Sequence, residues 1–284
     1  MRTATRLPLA RLPLARLSVA RLSVALAALA LLAIPAAAAG PAAKAPPKMF
    51  VVHVEQAVPS RLADYEATTK EFINLVHQNH QVAPMFSFNA LMGEDLSFAF
   101  VAPIRNLADV DAINGAFEAL GKAVGEQKWA DLMRRGGAAT ERVDEGVFME
   151  VSDASYWPAN AKNSPIGAGY YELDFYRVMP GMEDAAHEVA MSWKSLFESK
   201  SLPFGYTVFR LVLGNDEPLW VVSTPAKDPV DLAQMQAGMQ QALGATYQSQ
   251  LAKTFAICRG YEVKRYRARP DLSLPPPGAM PMAH

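Results

Sequence analysis

The chain has 284 residues, 51 % of them apolar, with 27 basic side chains against 28 acidic ones and a single cysteine. That balance offers no basic face to a nucleic-acid backbone, and one cysteine allows no intramolecular disulfide. Stability must therefore come from a packed core, for which the chain is long enough.

Residues 1–39 come first and carry five arginines (Arg2, Arg6, Arg11, Arg16, Arg21) and no acid. An apolar run from Leu22 to Ile34 follows, then small residues through Ala39. A basic start, a short apolar stretch and an alanine-rich end read as a secretory signal peptide, so the protein is expected to be exported, periplasmic or secreted. The apolar run falls short of the roughly 20 residues that cross a bilayer, so no stable membrane span is expected after cleavage; an uncleaved anchor is the alternative. Removal leaves 22 basic against 28 acidic residues, a net charge near −6.

Residues 40–48 form a Pro/Ala tether, and 49–151 make up a first folded unit. Residues 152–168, rich in Pro, Asn, Ser and Gly, read as a linker. A second unit occupies 169–267, and the proline-rich 268–284 are expected to be a disordered tail. The two units are copies. Val51–Phe72 matches Glu172–Trp193, Val58-Pro59 falls on Met179-Pro180, and Gly93 falls on Gly214.

Within each copy the hydrophobic period switches between 2 and 3.6. Phe50, Val52 and Val54 alternate with Val51, His53 and Glu55 in a first strand; Tyr171, Leu173 and Phe175 alternate with Glu172, Asp174 and Tyr176 in its duplicate. An amphipathic helix follows each. Next come hairpins built from PMFSFNALM and LSFAFVA, and from YTVFRLVL and LWVVS, turning at Gly93-Glu94-Asp95 and Gly214-Asn215-Asp216. Long helical patterns then run over Leu107–Arg134 and Val230–Ala256. Their interior glycines, including Gly125 and Gly244, cost about 1 kcal/mol each and predict breaks. A last strand closes each copy, giving βαββαβ, the ferredoxin-like plan.

Such a unit has helices on one face of its antiparallel sheet and leaves the other bare. The second copy is the natural cover, and the fold expected is α+β: two tandem ferredoxin-like repeats whose sheets pack face to face as an intrachain pseudodimeric α/β barrel. In element order and duplication the chain resembles the dimeric α/β-barrel superfamily in its fused, tandem-repeat form, over nearly all of the mature length. Relatives include antibiotic-biosynthesis-type monooxygenases, heme-degrading monooxygenases, small decarboxylating and isomerising enzymes, and proteins without known activity. The resemblance implies a monomer that is an internal pseudodimer, or a homodimer, with ligands in the space between the sheets.

On that basis the strand face away from the helices is where polar side chains matter. His53, Glu55, Asp174, Tyr176 and Arg210 are the ligand-pocket candidates, His53 and Asp174 being duplicate positions. A histidine near carboxylates is suited to act as a general base. The plainer reading makes these residues paired charges that fix the register of the sheets. His77 and His80 lack a third fixed ligand, and the chain has no HExxH or CxxC, so no metal is expected. Common nucleotide-binding glycine loops and the GxSxG elbow are absent, and no cofactor is expected. Trp129, Trp157, Trp193 and Trp220 fit core or linker packing, and Cys258 a small apolar packing role. The leading expectation is an exported protein that binds a small molecule or a partner at the inter-sheet cavity. A cofactor-independent monooxygenase or isomerase acting through His53 on an aromatic or polyketide-like substrate, and a structural envelope interaction protein, are the alternatives. Whether the chain is an enzyme is left open.

Overall fold

The computed structural model describes residues 48–82, 86–165 and 167–274. The expected signal peptide and nearly all of the tether lie outside them.

Repeat 1 comprises β1 (Met49–Ala57), α1 (Leu62–Gln78), β2 (Asn89–Gly93), β3 (Ser97–Ile104), α2 (Ala108–Val124), α3 (Glu126–Ala139) and β4 (Thr140–Glu150). Repeat 2 comprises β5 (Tyr170–Val178), α4 (Glu183–Ser199), β6 (Thr207–Leu213), β7 (Leu219–Ala226), α5 (Pro229–Leu243), α6 (Ala245–Ala256) and β8 (Cys258–Ala268). Each long helical pattern is thus two helices, broken at Gly125 (φ 94°) and Gly244 (φ 53°). Both glycines hold backbone conformations that a side chain resists, so the breaks are written into the sequence. β2 begins later than its apolar pattern suggests, at Asn89.

The eight strands form one closed antiparallel barrel in the order β1-β3-β2-β8-β5-β7-β6-β4. β1 and β5 are the central strands of their repeats and hold the same place in each. β1 bulges against β4 between Gln56 and Ala57, and β5 bulges against β8 at the duplicate Arg177 and Val178. Two short seams join the repeats: Leu91–Gly93 pairs with Tyr266–Ala268, and Val147–Glu150 pairs with Leu213–Phe209. Closure leaves no open sheet edge along the seams, which is how a barrel removes the hazard of unpaired strands.

Strand alternation then sorts side chains into two layers. Val52, Val54, Leu91, Ala99, Val101, Tyr171, Leu173 and Tyr266 cluster with strand residues alone and fill the barrel. Ala57, Phe98 and Phe100 pack with Tyr65, Ile73 and Val76 of α1, beneath the helices of repeat 1. Val178, Val208 and Trp220 pack with Ala186 and Phe197 of α4 in repeat 2.

The tail differs from expectation over its first residues. Pro270–Leu272 forms one turn, Leu272 and Leu274 are buried in the core of repeat 1, and Ser273 accepts a hydrogen bond from the Ala90 backbone N–H at 2.9 Å. Two leucines with a face to bury hold 268–274 in place; the proline-rich run beyond them lies outside the described residues. Among the described residues no helix is long and apolar enough to cross a membrane.

Replacing Gly244 with Ala puts a Cβ on a backbone conformation that all but excludes one. We expect a loss of about 1–3 kcal/mol, read as a lower urea midpoint with an unchanged slope; an unshifted midpoint would show that the helix break does not need glycine.

Candidate ligand cavity

The layering places the candidate residues on the side opposite to that expected. With Val52 and Val54 inside the barrel, Val51, His53 and Glu55 of β1 point outward beneath the helices, as do Glu172, Asp174 and Tyr176 of β5. The inter-sheet space holds none of them: β1 and β5 turn mainly apolar side chains to it, and β8 turns Lys264 and Glu262 to it as an ion pair. The alternate residues of both strands are largely aliphatic or aromatic and take the inter-sheet side, where Val52, Val54, Tyr171 and Leu173 are half-buried. Arg210 leaves the site altogether. It is exposed on β6 and lines no cavity, while its neighbour Phe209 turns inward against Phe50, ring centroids 5.7 Å apart.

In repeat 1 the layer between sheet and helices is solid. Tyr65 of α1 packs on Phe98, ring centroids 4.6 Å apart, and Phe72, Phe86, Phe117 and Trp129 interlock beside them. His53 lies at the rim of this core. Its Nε2 is 3.2 Å from Glu55 Oε1 and its Nδ1 is 3.7 Å from Glu145 Oε1. Tyr65 donates its hydroxyl proton to the other Glu55 oxygen. Burial pulls the imidazole pKa down, but the hydrogen bonds and charges of Glu145 and Glu55 outweigh it and raise it to about 9. His53 is therefore a cation at neutral pH, held between two carboxylates, which is not the form a general base needs.

Repeat 2 repeats the scaffold with different side chains, larger at some positions (Tyr176 for Glu55, Trp220 for Phe98) and smaller at two. Where His53 pairs across the sheet with Phe100, the duplicate Asp174 pairs with Val222. Where α1 carries Tyr65, α4 carries Ala186 at the duplicate position. Beside these two positions lies a cavity of about 320 Å³ between the sheet and α4, α5 and α6. That volume lies at the lower end for small-molecule sites and would hold about ten waters. Its walls are largely aromatic and aliphatic, with Tyr176, Trp193, Phe197, Trp220, Tyr247 and Tyr261 prominent. Trp193 and Trp220, which read as core packing in the sequence, line it.

The polar groups gather on the sheet floor. Glu172, 6 % exposed, accepts from Arg265 Nε at 2.9 Å and from the Gln236 side chain. Asp174 accepts one hydrogen bond, from the Tyr261 hydroxyl at 2.5 Å, and forms no ion pair among the described residues. Burial, helped by the charge of Glu172, raises the Asp174 pKa to about 6 against the opposing pull of Tyr261 and Arg265. Burial also lifts the Tyr176 and Tyr261 phenols, as does the negative charge of Asp174, so both stay protonated donors. Tyr206, 7 % exposed, lines the same cavity, and its hydroxyl has no hydrogen-bond partner among the described residues. Cys258 also lines it; its thiol donates to the Thr254 carbonyl at 3.1 Å, and burial pushes its pKa up.

Of the five candidates, then, the structure brings together Asp174 and Tyr176 and separates them from His53, Glu55 and Arg210. Tyr261, Arg265 and Tyr247 were missed. The signal for the first two was present: in GYEVKRYR, Tyr261, Val263 and Arg265 alternate, and they share the face of Asp174 once β8 is paired with β5. His77 and His80 are exposed, and among the described residues no three His, Cys, Asp or Glu side chains are grouped to hold a metal.

No family model matches the sequence, and no curated protein matches it. Solved structures are similar at low identity. An anthrone oxidase-like protein aligns at 10 % identity with a TM-score of 0.49, covering 79 % of this chain and 92 % of that one. A heme-binding protein from Thermus thermophilus aligns at 12 % identity and a TM-score of 0.46, covering 80 % and 93 %. Chlorite dismutase from Candidatus Nitrospira defluvii, in complex with imidazole, aligns at 12 % identity and a TM-score of 0.48, covering 79 % and 92 %. The architecture that the sequence resembles, a dimeric α/β barrel fused into one chain, is carried by the closed eight-stranded barrel itself.

The His53 ion pairs set a pH signature. A histidine raised from 6.5 to about 9 in the folded state contributes stability that is fully present below pH 6.5 and lost as pH rises through 9. Because the ring is partly open to solvent, the contribution is on the order of 1 kcal/mol. Urea unfolding of wild type and His53→Gln at pH 6 and pH 9.5 checks this. The variant's deficit is expected at pH 6 and should vanish at pH 9.5; an equal deficit at both would rule the ion pairs out as its source.

Proposed function

We propose that this is an exported protein that binds a small, largely apolar aromatic molecule in the cavity of repeat 2. One observation carries the reading: two copies of a single unit pack the same layer differently, solid in repeat 1 and hollow in repeat 2. A fold that needed only stability has a filled version of this layer in its own other half. Export rests on the basic, apolar and alanine-rich pattern of residues 1–39. The hollow layer weighs against the purely structural envelope role.

Heme, which one similar solved structure is described as binding, would find neither a histidine nor a thiolate in the cavity lining. No histidine lines the cavity, and the lining thiol of Cys258 is protonated and engaged with a carbonyl. Histidine and thiolate are two of the axial ligands that hold heme, and the phenols of Tyr176, Tyr206 and Tyr261 are kept protonated by burial.

A catalytic reading survives in altered form. Asp174, with a pKa near 6 and a phenol donor 2.5 Å away, is suited to proton transfer near neutral pH. A cofactor-independent monooxygenase or isomerase would therefore act through Asp174 and Tyr261, not through His53.

The test uses the geometry of repeat 1. A ring fits where Tyr65 sits, so Ala186→Phe should fill the cavity with little loss of stability. Native mass spectrometry of protein purified from the envelope, with quenching of Trp193 and Trp220 by 2-naphthalenemethanol, reads occupancy. Wild type is expected to bind and Ala186→Phe to lose about tenfold or more in affinity. Equal binding by both would sink the cavity reading.

A further inference from the structure

Asp174 is the one carboxylate in the cavity lining without a cation. The lining holds two acids, Glu172 and Asp174, and one permanent cation, Arg265. Arg265 is committed to Glu172 through Nε and Nη2, each 2.9 Å from Oε2, and Gln236 completes that carboxylate. Glu172 and Arg265 thus cancel, and the cavity keeps the negative charge of Asp174. The rings around it supply negative faces as well. Tyr176 and Tyr261 lie with centroids 5.0 Å apart beside the carboxylate, and Tyr247, whose phenol is held up by burial and by the charges of Asp174 and Glu172, closes the helix side against Trp193 at 5.8 Å.

A half-buried carboxylate within a wall of aromatic rings is the arrangement that attracts an organic cation: the carboxylate supplies charge and the ring faces supply cation–π attraction while excluding water. We infer that the cavity of repeat 2 selects an aromatic amine or ammonium compound, its cationic nitrogen at Asp174 and its ring system among Tyr176, Tyr247 and Trp193. The inference rests on the cavity reading and adds the charge of the ligand to it. An anion would meet the opposite field. A neutral ring of the same shape would leave the carboxylate unpaired.

The pH dependence follows from the groups facing Asp174: Glu172 and Tyr176 on β5, Tyr261 and Arg265 on β8, and Tyr247 on α6. The tyrosines stay neutral and Arg265 stays charged, and Asp174 is the carboxylate that burial raises to about 6. A cation needs it ionised, and binding weakens as pH falls through about 6.

Isothermal titration of the full chain with three probes of one shape decides the matter: 2-naphthylmethylamine, 2-naphthalenemethanol and 2-naphthoate. At pH 7.5 the amine is expected to bind about tenfold tighter than the alcohol, with the naphthoate weakest. Asp174→Asn should erase the preference for the amine, as should moving wild type to pH 5. An amine no tighter than the alcohol, or a preference that survives Asp174→Asn, overturns the cation assignment. In that case alcohol binding that is still lost in Ala186→Phe leaves the cavity reading standing. Binding of all three probes untouched by Ala186→Phe overturns both.

Discussion

The two seams that close the barrel are the constraint on which the rest of the structure depends. Each is short, Leu91–Gly93 against Tyr266–Ala268 and Val147–Glu150 against Leu213–Phe209, and together they join the repeats edge to edge. Closure makes one side of every strand an interior. Because side chains alternate, it decides in the same step which residues lie under the helices. Val54 and Leu173 go in, so Glu55 and Asp174 go out. No local property of either strand settles that choice, since both faces of β1 and β5 carry apolar residues. The more apolar alternate sets of β1 and β5 take the interior, where Val52, Val54 and Leu173 are half-buried, and the helix side has a rim at which charges remain wet.

Given that frame, the two repeats solve the same packing problem in different ways. In repeat 1, Tyr65, Phe72, Phe98 and Trp129 fill the layer between sheet and helices, and the polar groups His53, Glu55 and Glu145 pair with one another at its rim. In repeat 2, Ala186 and Val222 stand at the places of Tyr65 and Phe100, and the layer is hollow. A dry void of about 320 Å³ costs about 8 kcal/mol at roughly 24 cal/mol per Å³. That is comparable with the whole stability of an ordinary domain. The space is therefore occupied, by water entering past the half-exposed Tyr261 and Val263 or by a ligand that displaces it.

Much of this was legible in the amino-acid sequence. The duplication, the strand and helix order and the breaks at Gly125 and Gly244 follow from period and composition, which are local. The site was half legible. Glu172, Asp174 and Tyr176 stand out as polar residues alternating along an apolar strand, and they do line the cavity. The face was misassigned because parity alone carries no direction; only barrel closure supplies it. Arg210 misled for a related reason: a charge inside an apolar strand looks buried in sequence, but β6 presents it to solvent. Tyr261 and Arg265 escaped notice because β8 alternates charge with aromatic residues on a strand whose outer edge is exposed, a pattern that reads as a wet surface until its pairing with β5 is known. Leu272 and Leu274 were hidden by the prolines that follow them.

The charge on the cavity floor is the feature least explained by folding. Repeat 1 neutralises its carboxylates by placing His53 between them, and within repeat 2 Arg265 neutralises Glu172. Asp174 has no such partner, and burial raises its pKa from 3.8 to about 6. A carboxylate raised in the folded state costs stability as pH rises from 3.8 through 6, a loss of about 3 kcal/mol that is complete at neutral pH. An asparagine would keep the Tyr261 hydrogen bond and avoid that cost, and Val51, at the duplicate of Glu172, shows that the scaffold accepts an apolar residue on this face. Local destabilisation retained at a cavity wall is what a binding or proton-transfer site requires, since the same free energy is returned when an occupant satisfies the group. The cost of Asp174 and the volume above it are thus one observation: both vanish on filling the cavity with a molecule that has rings for its walls and a positive charge for its floor.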